Sequence, residues 1–364
     1  MKNNILKILL LLPTLSTAEQ PEIKIGALYA VSGWAAFGGE MSKYGSEFAV
    51  DEINASGGIN GSKIKLIIED TNSDNIKTIN GFKKLTEVDN VSAIVGPNFA
   101  EFLEIVAPAA TQSQIPIISP NGFKRDVFNK DGFIFSLLPP DELAVKPLSD
   151  KIFEMKLKKV MPIVSKNAFF QTQTDAIRND LLSKGLVLEP DILVDGNESD
   201  FRSIILKLKS SGVDGIILSL VENSGSLPAF FKQANALKFN IQLFGIGENI
   251  ENDDTVKKSL SIAENTIYNR YKKLGSPAFK ENFKNRHNIE TDVSSTFAYD
   301  AVYAIKTAIQ QCGSSRPQIK NCLRKINFQG ESGIVSFDEF GITKKNDDYT
   351  ELAEVRDRKI NTIQ

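Results

Sequence analysis

Asp51-Glu52-Ile53-Asn54-Ala55-Ser56-Gly57-Gly58-Ile59-Asn60-Gly61, inside the longer stretch Ile23 to Asp70, decides how this chain folds. Ahead of it, Ile23-Lys24-Ile25-Gly26-Ala27-Leu28 alternates apolar and small residues like a strand, and the small-residue run from Val31 to Gly39 reads as a loop. From Glu40 to Asn54 the residues Met41, Tyr44, Phe48, Ala49 and Ile53 recur at helical spacing. Gly57-Gly58 then stops the helix, because glycine enters left-handed backbone space without steric cost. Ile64-Lys65-Leu66-Ile67-Ile68 follows as a second strand ending at Glu69-Asp70. Strand, helix, strand is a right-handed βαβ unit, and the loop after its first strand is its functional edge.

Working outward, the pattern repeats. Ser73-Asp74-Asn75 caps an expected helix from Ile76 to Val88, with Ile79, Phe82, Leu85 and Val88 every three residues. Val91 to Val95 and Ile115 to Ile118 are strands, with the helix Glu101 to Gln112 between them. Ligands gather at the carboxyl ends of such strands, which selects loops 32–39, 97–101 and 119–123. Phe133 to Leu138 runs into Pro139-Pro140-Asp141, read as a crossing into a second lobe that opens with the helix Glu142 to Phe153. There strands are expected near Val160–Val164, Leu186–Val194, Gly215–Ser219 and Gln242–Ile246, a return crossing near Thr266–Tyr271, and an edge strand at Tyr349–Arg356. The expected fold class is α/β: two Rossmann-like lobes, 19–138 with 269–340 and 139–268 with 341–364, joined by a three-segment hinge. A length of 364 residues agrees, since one core rarely grows that large.

These segments carry a resemblance. The first strand, the Ser32-Gly33 loop and the Ile53-Asn54-Ala55-Ser56-Gly57-Gly58-Ile59-Asn60-Gly61 turn resemble the periplasmic binding proteins of the leucine/isoleucine/valine type, the solute receptors of ABC importers. Ala93-Ile94-Val95-Gly96-Pro97, Ile115-Pro116-Ile117-Ile118-Ser119-Pro120, Ala298-Tyr299-Asp300-Ala301-Val302-Tyr303 and Gly333-Ile334-Val335-Ser336-Phe337-Asp338-Glu339-Phe340-Gly341 extend it over nearly the whole mature chain. The resemblance implies the type I periplasmic binding protein fold, a small-molecule ligand, ABC permease membrane subunits as partners, and no cofactor. A hydrophobic or branched-chain amino acid is the implied ligand, with an aromatic acid or an amide as the alternative. A receptor feeding a signalling partner is the alternative role.

Composition narrows the classes independently. A net charge of −2 gives no electrostatic reason for a nucleic-acid partner, and one histidine with two cysteines argues against most histidine-dependent hydrolase and zinc chemistry. The histidine, His287, lies in a polar run that reads as a solvated helix end. Met1-Lys2-Asn3-Asn4, the apolar run Ile5 to Leu12 and the small residues Ser16-Thr17-Ala18 form a secretory signal over residues 1–18. The expected product is a soluble periplasmic monomer. In that oxidising compartment Cys312 and Cys322, either side of Gly313-Ser314-Ser315-Arg316-Pro317, are expected to form one disulfide.

In the resembled family a zwitterionic ligand is gripped by backbone N–H groups, hydroxyl side chains and an acid against its ammonium. Here the family's serine position matches Ala100, its threonine position Phe123 and a cleft tyrosine Phe169, so three hydroxyls are missing. Backbone N–H groups of Ala100, Gly122 and Phe123 are the substitute donors. The acid is Glu248 or Glu222, with Glu248 first because the alignment puts the family's acid within a residue of it. Asn223 and Ser224 are lesser candidates, and a solvated loop charge is the competing reading for each glutamate. Trp34, Phe37 and Phe99 add aromatic surface to the expected cleft, which points to a ligand with a sizeable apolar part, whereas Phe102 is assigned to the core. Gly245-Ile246-Gly247-Glu248 echoes a dinucleotide fingerprint but lacks its third glycine and does not open the fold.

Overall fold

The computed structural model of the chain describes residues 22–221, 223–344 and 349–363. The secretory signal expected at residues 1–18 and the candidate Glu222 lie outside these residues.

A five-stranded parallel sheet is built from β1 (Ile23–Tyr29), β2 (Ile64–Asp70), β3 (Ala93–Val95), β4 (Ile117–Ser119) and β5 (Ile134–Ser136), in the order β2-β1-β3-β4-β5. The second lobe contributes β6 (Val160–Ser165), β7 (Ile192–Val194), β8 (Gly215–Ser219), β9 (Gln242–Gly245) and β10 (Thr266–Tyr271). A hairpin of β11 (Asn327–Gly330) and β12 (Gly333–Ser336) follows. Finally β13 (Thr350–Arg356) and β14 (Lys359–Ile363) complete a seven-stranded sheet ordered β14-β13-β10-β9-β8-β6-β7. Strand order reverses between β1 and β3 in one sheet and between β6 and β8 in the other, so each lobe has a topological switch point, the place where ligands gather in open sheets.

The glycine-rich turn works as its residue types require. Gly57 and Gly58 sit at φ 102° and 76°, and the Gly58 N–H reaches back 2.8 Å to the Ile53 carbonyl. Asn54 then clamps the next strand twice: its Nδ2 donates to the Ile64 carbonyl at 2.9 Å and its Oδ1 accepts from the Ile64 N–H at 2.7 Å. The helix before the turn is longer than its apolar repeat indicates, Ala36–Ala55, so Phe37, Gly38 and Gly39 form its first turn rather than a loop. Its backbone approaches its neighbours too closely for side chains: a Cβ on Gly39 would sit 1.9 Å from the Ala30 carbonyl oxygen, and one on Gly45 2.0 Å from that of Ser295. The second contact locks the helix Ala36–Ala55 against the helix Val293–Cys312 in the core of the first lobe, with Phe48, Ile53, Phe297 and Val302 between them.

Several expectations are corrected. The helix expected from Ile76 to Val88 is Asn75–Lys83 followed by a wider turn Lys84–Val88; Phe82 and Leu85 are buried, whereas Ile76 and Val88 are exposed. Only Ile192–Val194 of the expected strand Leu186–Val194 pairs with a neighbour. Thr350–Arg356 is not an edge strand, because β14 covers it. The stretch Thr266–Tyr271 is itself a full strand of the second sheet, so the return crossing follows Tyr271. Likewise Ile342 bridges Ser136 of β5 and the Thr343 N–H donates to the Ser136 carbonyl at 3.0 Å, so residues 341–343 stay with the first lobe. His287 ends its helix as expected, but its ring stacks on Tyr44 at 4.6 Å instead of facing water.

Cys312 and Cys322 are joined, with Cα atoms 6.1 Å apart, fastening the end of the long helix to the short helix Arg316–Leu323. Among the described residues no helix is long and apolar enough to cross a membrane, and no His, Cys, Asp and Glu cluster could hold a metal ion.

Candidate functional site

The first wall is the loop cluster at the carboxyl ends of β1, β3 and β4. Asp70 ties the β1 loop down by accepting from the Val31 N–H at 3.1 Å and the Ser32 hydroxyl at 2.6 Å. Ser73 adds two bonds, accepting from the Ala35 N–H at 3.0 Å and donating to the Ser32 carbonyl at 2.8 Å. Thus braced, the loop holds Trp34 outward, 66% exposed, with Phe99 5.4 Å away, and Phe37 beyond it is 64% exposed. Phe99 has φ 66° and precedes the helix Ala100–Gln112, whose N-terminus receives no side-chain cap. That helix end therefore presents N–H groups, Ala100 first, with a partial positive charge.

Behind this surface runs a polar chain that sequence reasoning missed. Asn98 Nδ2 donates to Ser42 Oγ at 2.6 Å and Asn121 Oδ1 at 2.8 Å, and Asn121 Nδ2 donates to Ser294 Oγ at 3.0 Å. The Asn content of loops 97–101 and 119–123 was the signal for it. Two expected residues are otherwise engaged. The Gly122 N–H donates to Ser119 Oγ at 2.9 Å, so it is not a free donor for a ligand. The Phe123 ring stacks on Phe128 at 5.2 Å beneath Arg125, so it is occupied with packing inside its own lobe.

The second wall surrounds a cavity of about 140 Å³ lined by Phe169, Gln173, Glu248, Asn249, Arg270 and Tyr271 among others. Asn167 caps the helix Ala168–Ser183 by accepting from the Phe169 N–H at 2.9 Å, which fixes Phe169 at the cavity rim, 52% exposed. Glu248 follows β9 and is half-buried. Burial pushes its carboxyl up to about 7, the like charges of Glu251 and Asp292 add to this, and Arg270 opposes it only partly. Arg270 is already committed: its guanidinium pairs with Glu251 and Glu351 and donates to Thr362 Oγ1 at 2.8 Å. Asp141, off the cavity lining, accepts from Gln173 on it and is pushed up to about 6, chiefly by burial and then by Glu142.

The structure thus brings Phe169 and Glu248 together and adds Asp141, Gln173 and Arg270, which sequence reasoning missed; the double proline before Asp141 marked that crossing. Asn223 does not join them. Its Nδ2 donates to the Asn252 carbonyl at 3.0 Å and its Oδ1 accepts from the Asp254 N–H at 2.9 Å, so its amide serves the neighbouring loop. Ser224 likewise donates to the Val221 carbonyl at 2.7 Å.

Against known proteins, a periplasmic binding protein family model matches residues 22–357. The chain is 24% identical over 341 residues to the Leu/Ile/Val-binding protein BraC3 of Rhizobium johnstonii, spanning 89% of this chain and 91% of that one. In fold it is similar to the branched-chain amino acid transporter substrate binding protein LivJ of Streptococcus pneumoniae, solved with isoleucine (TM-score 0.77, 23% identity, 94% of this chain and 99% of that one). It is similar too to a solute binding protein of an ABC transporter from Rhodopseudomonas palustris, solved with 3,4-dihydroxybenzoic acid (TM-score 0.75, 17% identity, 92% and 93%). These relatives are substrate-binding proteins. With two α/β lobes and a family match over almost all the described residues, the chain belongs to the periplasmic binding protein family.

Proposed function

We propose that this protein is the extracytoplasmic solute receptor of an ABC importer, closing its two lobes on a small ligand and presenting the closed form to the permease. The ligand is a hydrophobic or branched-chain amino acid or a related compound. One observation carries this reading. Glu248 is a half-buried carboxylate on the cavity wall whose one nearby guanidinium, Arg270, is already held by two other acids. A buried carboxylate without its own cation is costly, and an ammonium supplied by the ligand removes that cost. The uncapped N-terminus of the helix Ala100–Gln112 in the other lobe is the complementary place for a carboxylate.

A second reading has its own support. Trp34 and Phe37 near the end of β1 and Phe169 at the cavity rim are all more than half exposed, which suits a flat aromatic acid that lobe closure would cover. A thermal-shift screen of the refolded, ligand-free mature protein separates the two. Ligand at a hundred times its dissociation constant adds about 2.7 kcal/mol of stability. Stabilisation by leucine, isoleucine, valine or phenylalanine supports the amino-acid reading. Stabilisation only by compounds without an amino group removes the ammonium role from Glu248 and favours the aromatic acid.

A further inference from the structure

Glu248 stands where its own stretch of backbone would not hold it, and the inference drawn from this rests on the receptor reading above. The residue before it, Gly247, has φ 63°, and apart from its chain neighbours a Cβ there would meet nothing within 4 Å, so packing does not fix that side of the turn. The residues after it, Asn249–Asn252, make a single helical turn for which the Glu248 side chain provides no cap. So short a helix has little stability of its own. A carboxylate at this place keeps its aim only if the turn is tied to something firmer.

Buried asparagines tie it on both sides. Asn269, on β10 and on the cavity lining, is 3% exposed; its Oδ1 accepts from the Gly247 N–H at 3.0 Å and its Nδ2 donates to the Ala144 carbonyl at 3.0 Å. Asn249 Nδ2 donates to the Leu220 carbonyl at 3.2 Å, just past the end of β8. Asn269 differs from Asn249 in what it joins. Ala144 lies at the start of the helix Asp141–Glu154, directly after the first crossing, and Asn269 stands two residues before β10 ends at the return crossing. Its amide therefore links the turn that carries Glu248 to the segments by which the chain enters and leaves the second lobe.

We infer that Asn269 is a positioning residue of this receptor: its amide holds the Gly247–Glu248 turn so that the Glu248 carboxylate stays on the cavity wall to meet the ammonium of the ligand. The role needs an acceptor and a donor on one short side chain, which an asparagine amide supplies. Alanine in its place leaves the Gly247 N–H and the Ala144 carbonyl without that partner, and the turn relaxes toward water. A better hydrated Glu248 returns toward the ordinary carboxylate range, and it no longer stands ready where the ligand arrives.

The test follows Glu248 itself, in the full mature chain labelled with carbon-13 at its glutamate carboxyl groups, its signal being the one lost in Glu248→Gln. Without ligand the midpoint is expected at about 7 in the parent and about one pH unit or more lower in Asn269→Ala. Calorimetric titration at pH 8 with leucine, isoleucine, valine and phenylalanine should show that variant binding about tenfold or more weakly. Gln233→Ala is the control. It removes an amide that bridges the Phe201 N–H and the Ser199 carbonyl at 2.7 Å each, off the cavity lining, and should change neither quantity. In the parent the Gly247 amide should exchange slowly with deuterium, a measurement that decides the matter even if Asn269→Ala does not fold. An unmoved midpoint in Asn269→Ala, amino-acid binding as tight as the parent's, an equal loss in Gln233→Ala, or a freely exchanging Gly247 amide overturns the inference and leaves the receptor reading standing. A lowered midpoint with silence from all four amino acids supports the placement of Glu248 by Asn269 and removes the amino-acid reading instead.

Discussion

Glu248 titrates in the direction opposite to a surface glutamate that has found a lysine. Its folded-state carboxyl is pushed up to about 7, so its contribution to stability is complete below the usual carboxylate range and disappears as pH rises through about 7. Between those limits the ligand-free protein loses at most on the order of 3 kcal/mol at this side chain, at about 1.4 kcal/mol per pH unit. Glu248→Gln should therefore melt above the parent at pH 8 and alongside it at pH 4, in paired thermal melts without ligand. The same variant should bind an amine ligand at least tenfold more weakly, and the parent's own affinity should fall as pH drops from 8 to 5, because Glu248 must ionise to hold a cation. A variant that binds as well as the parent removes Glu248 from the site. Glu248 was singled out because the resemblance puts the family's acid within a residue of it, after the apolar stretch Leu243–Gly247. Gly122 and Asn223 were misread because their bonding atoms answer other groups: a serine hydroxyl three residues back, and a loop thirty residues downstream whose proximity no local pattern announces.

At the scale of elements, the contact between the two longest helices in the first lobe is the most sensitive. Gly45→Ala would put a methyl carbon 2.0 Å from the Ser295 carbonyl oxygen, a backbone atom that a rotamer change cannot move. We expect a loss of about 3 kcal/mol or more, at or above the upper end for overpacking, read as a lower urea midpoint at unchanged slope. The Cys312–Cys322 bond closes a loop of sequence separation 10, so the double replacement by serine should cost about 2–3 kcal/mol in the same assay, on the chain-entropy estimate. Most strands and helices were visible as periodicity. The final hairpin was not, because Asp357 and Arg358 make its two-residue turn at φ 54° and 57° without the Asn-Gly or Asp-Gly pair that marks such turns. Its turn is held instead by Glu264, which accepts from both backbone N–H groups, at 2.6 Å and 3.2 Å.

For the whole molecule, the chain passes between the lobes three times, after Ser136, after Tyr271 and after Thr343. Three crossings between two lobes are the connectivity that hinge closure uses, the bend being absorbed by a few residues in each. Small-angle scattering should register a smaller radius of gyration when a saturating ligand is added, and an unchanged curve would count against closure. Two lobes were readable from length and from the double proline. The later boundaries were blurred because β10 and the Gly341–Thr343 bridge continue a sheet right up to the crossing, where a sequence shows only another apolar run. The same threading has a temporal consequence. The first sheet is complete by residue 136, but the helix that covers it, Val293–Cys312, is among the last segments to be synthesised. The first lobe cannot seal its interior until most of the second, through β10, has been made, and contacts of such long sequence separation form slowly. Such a chain keeps its first lobe open until late in its synthesis.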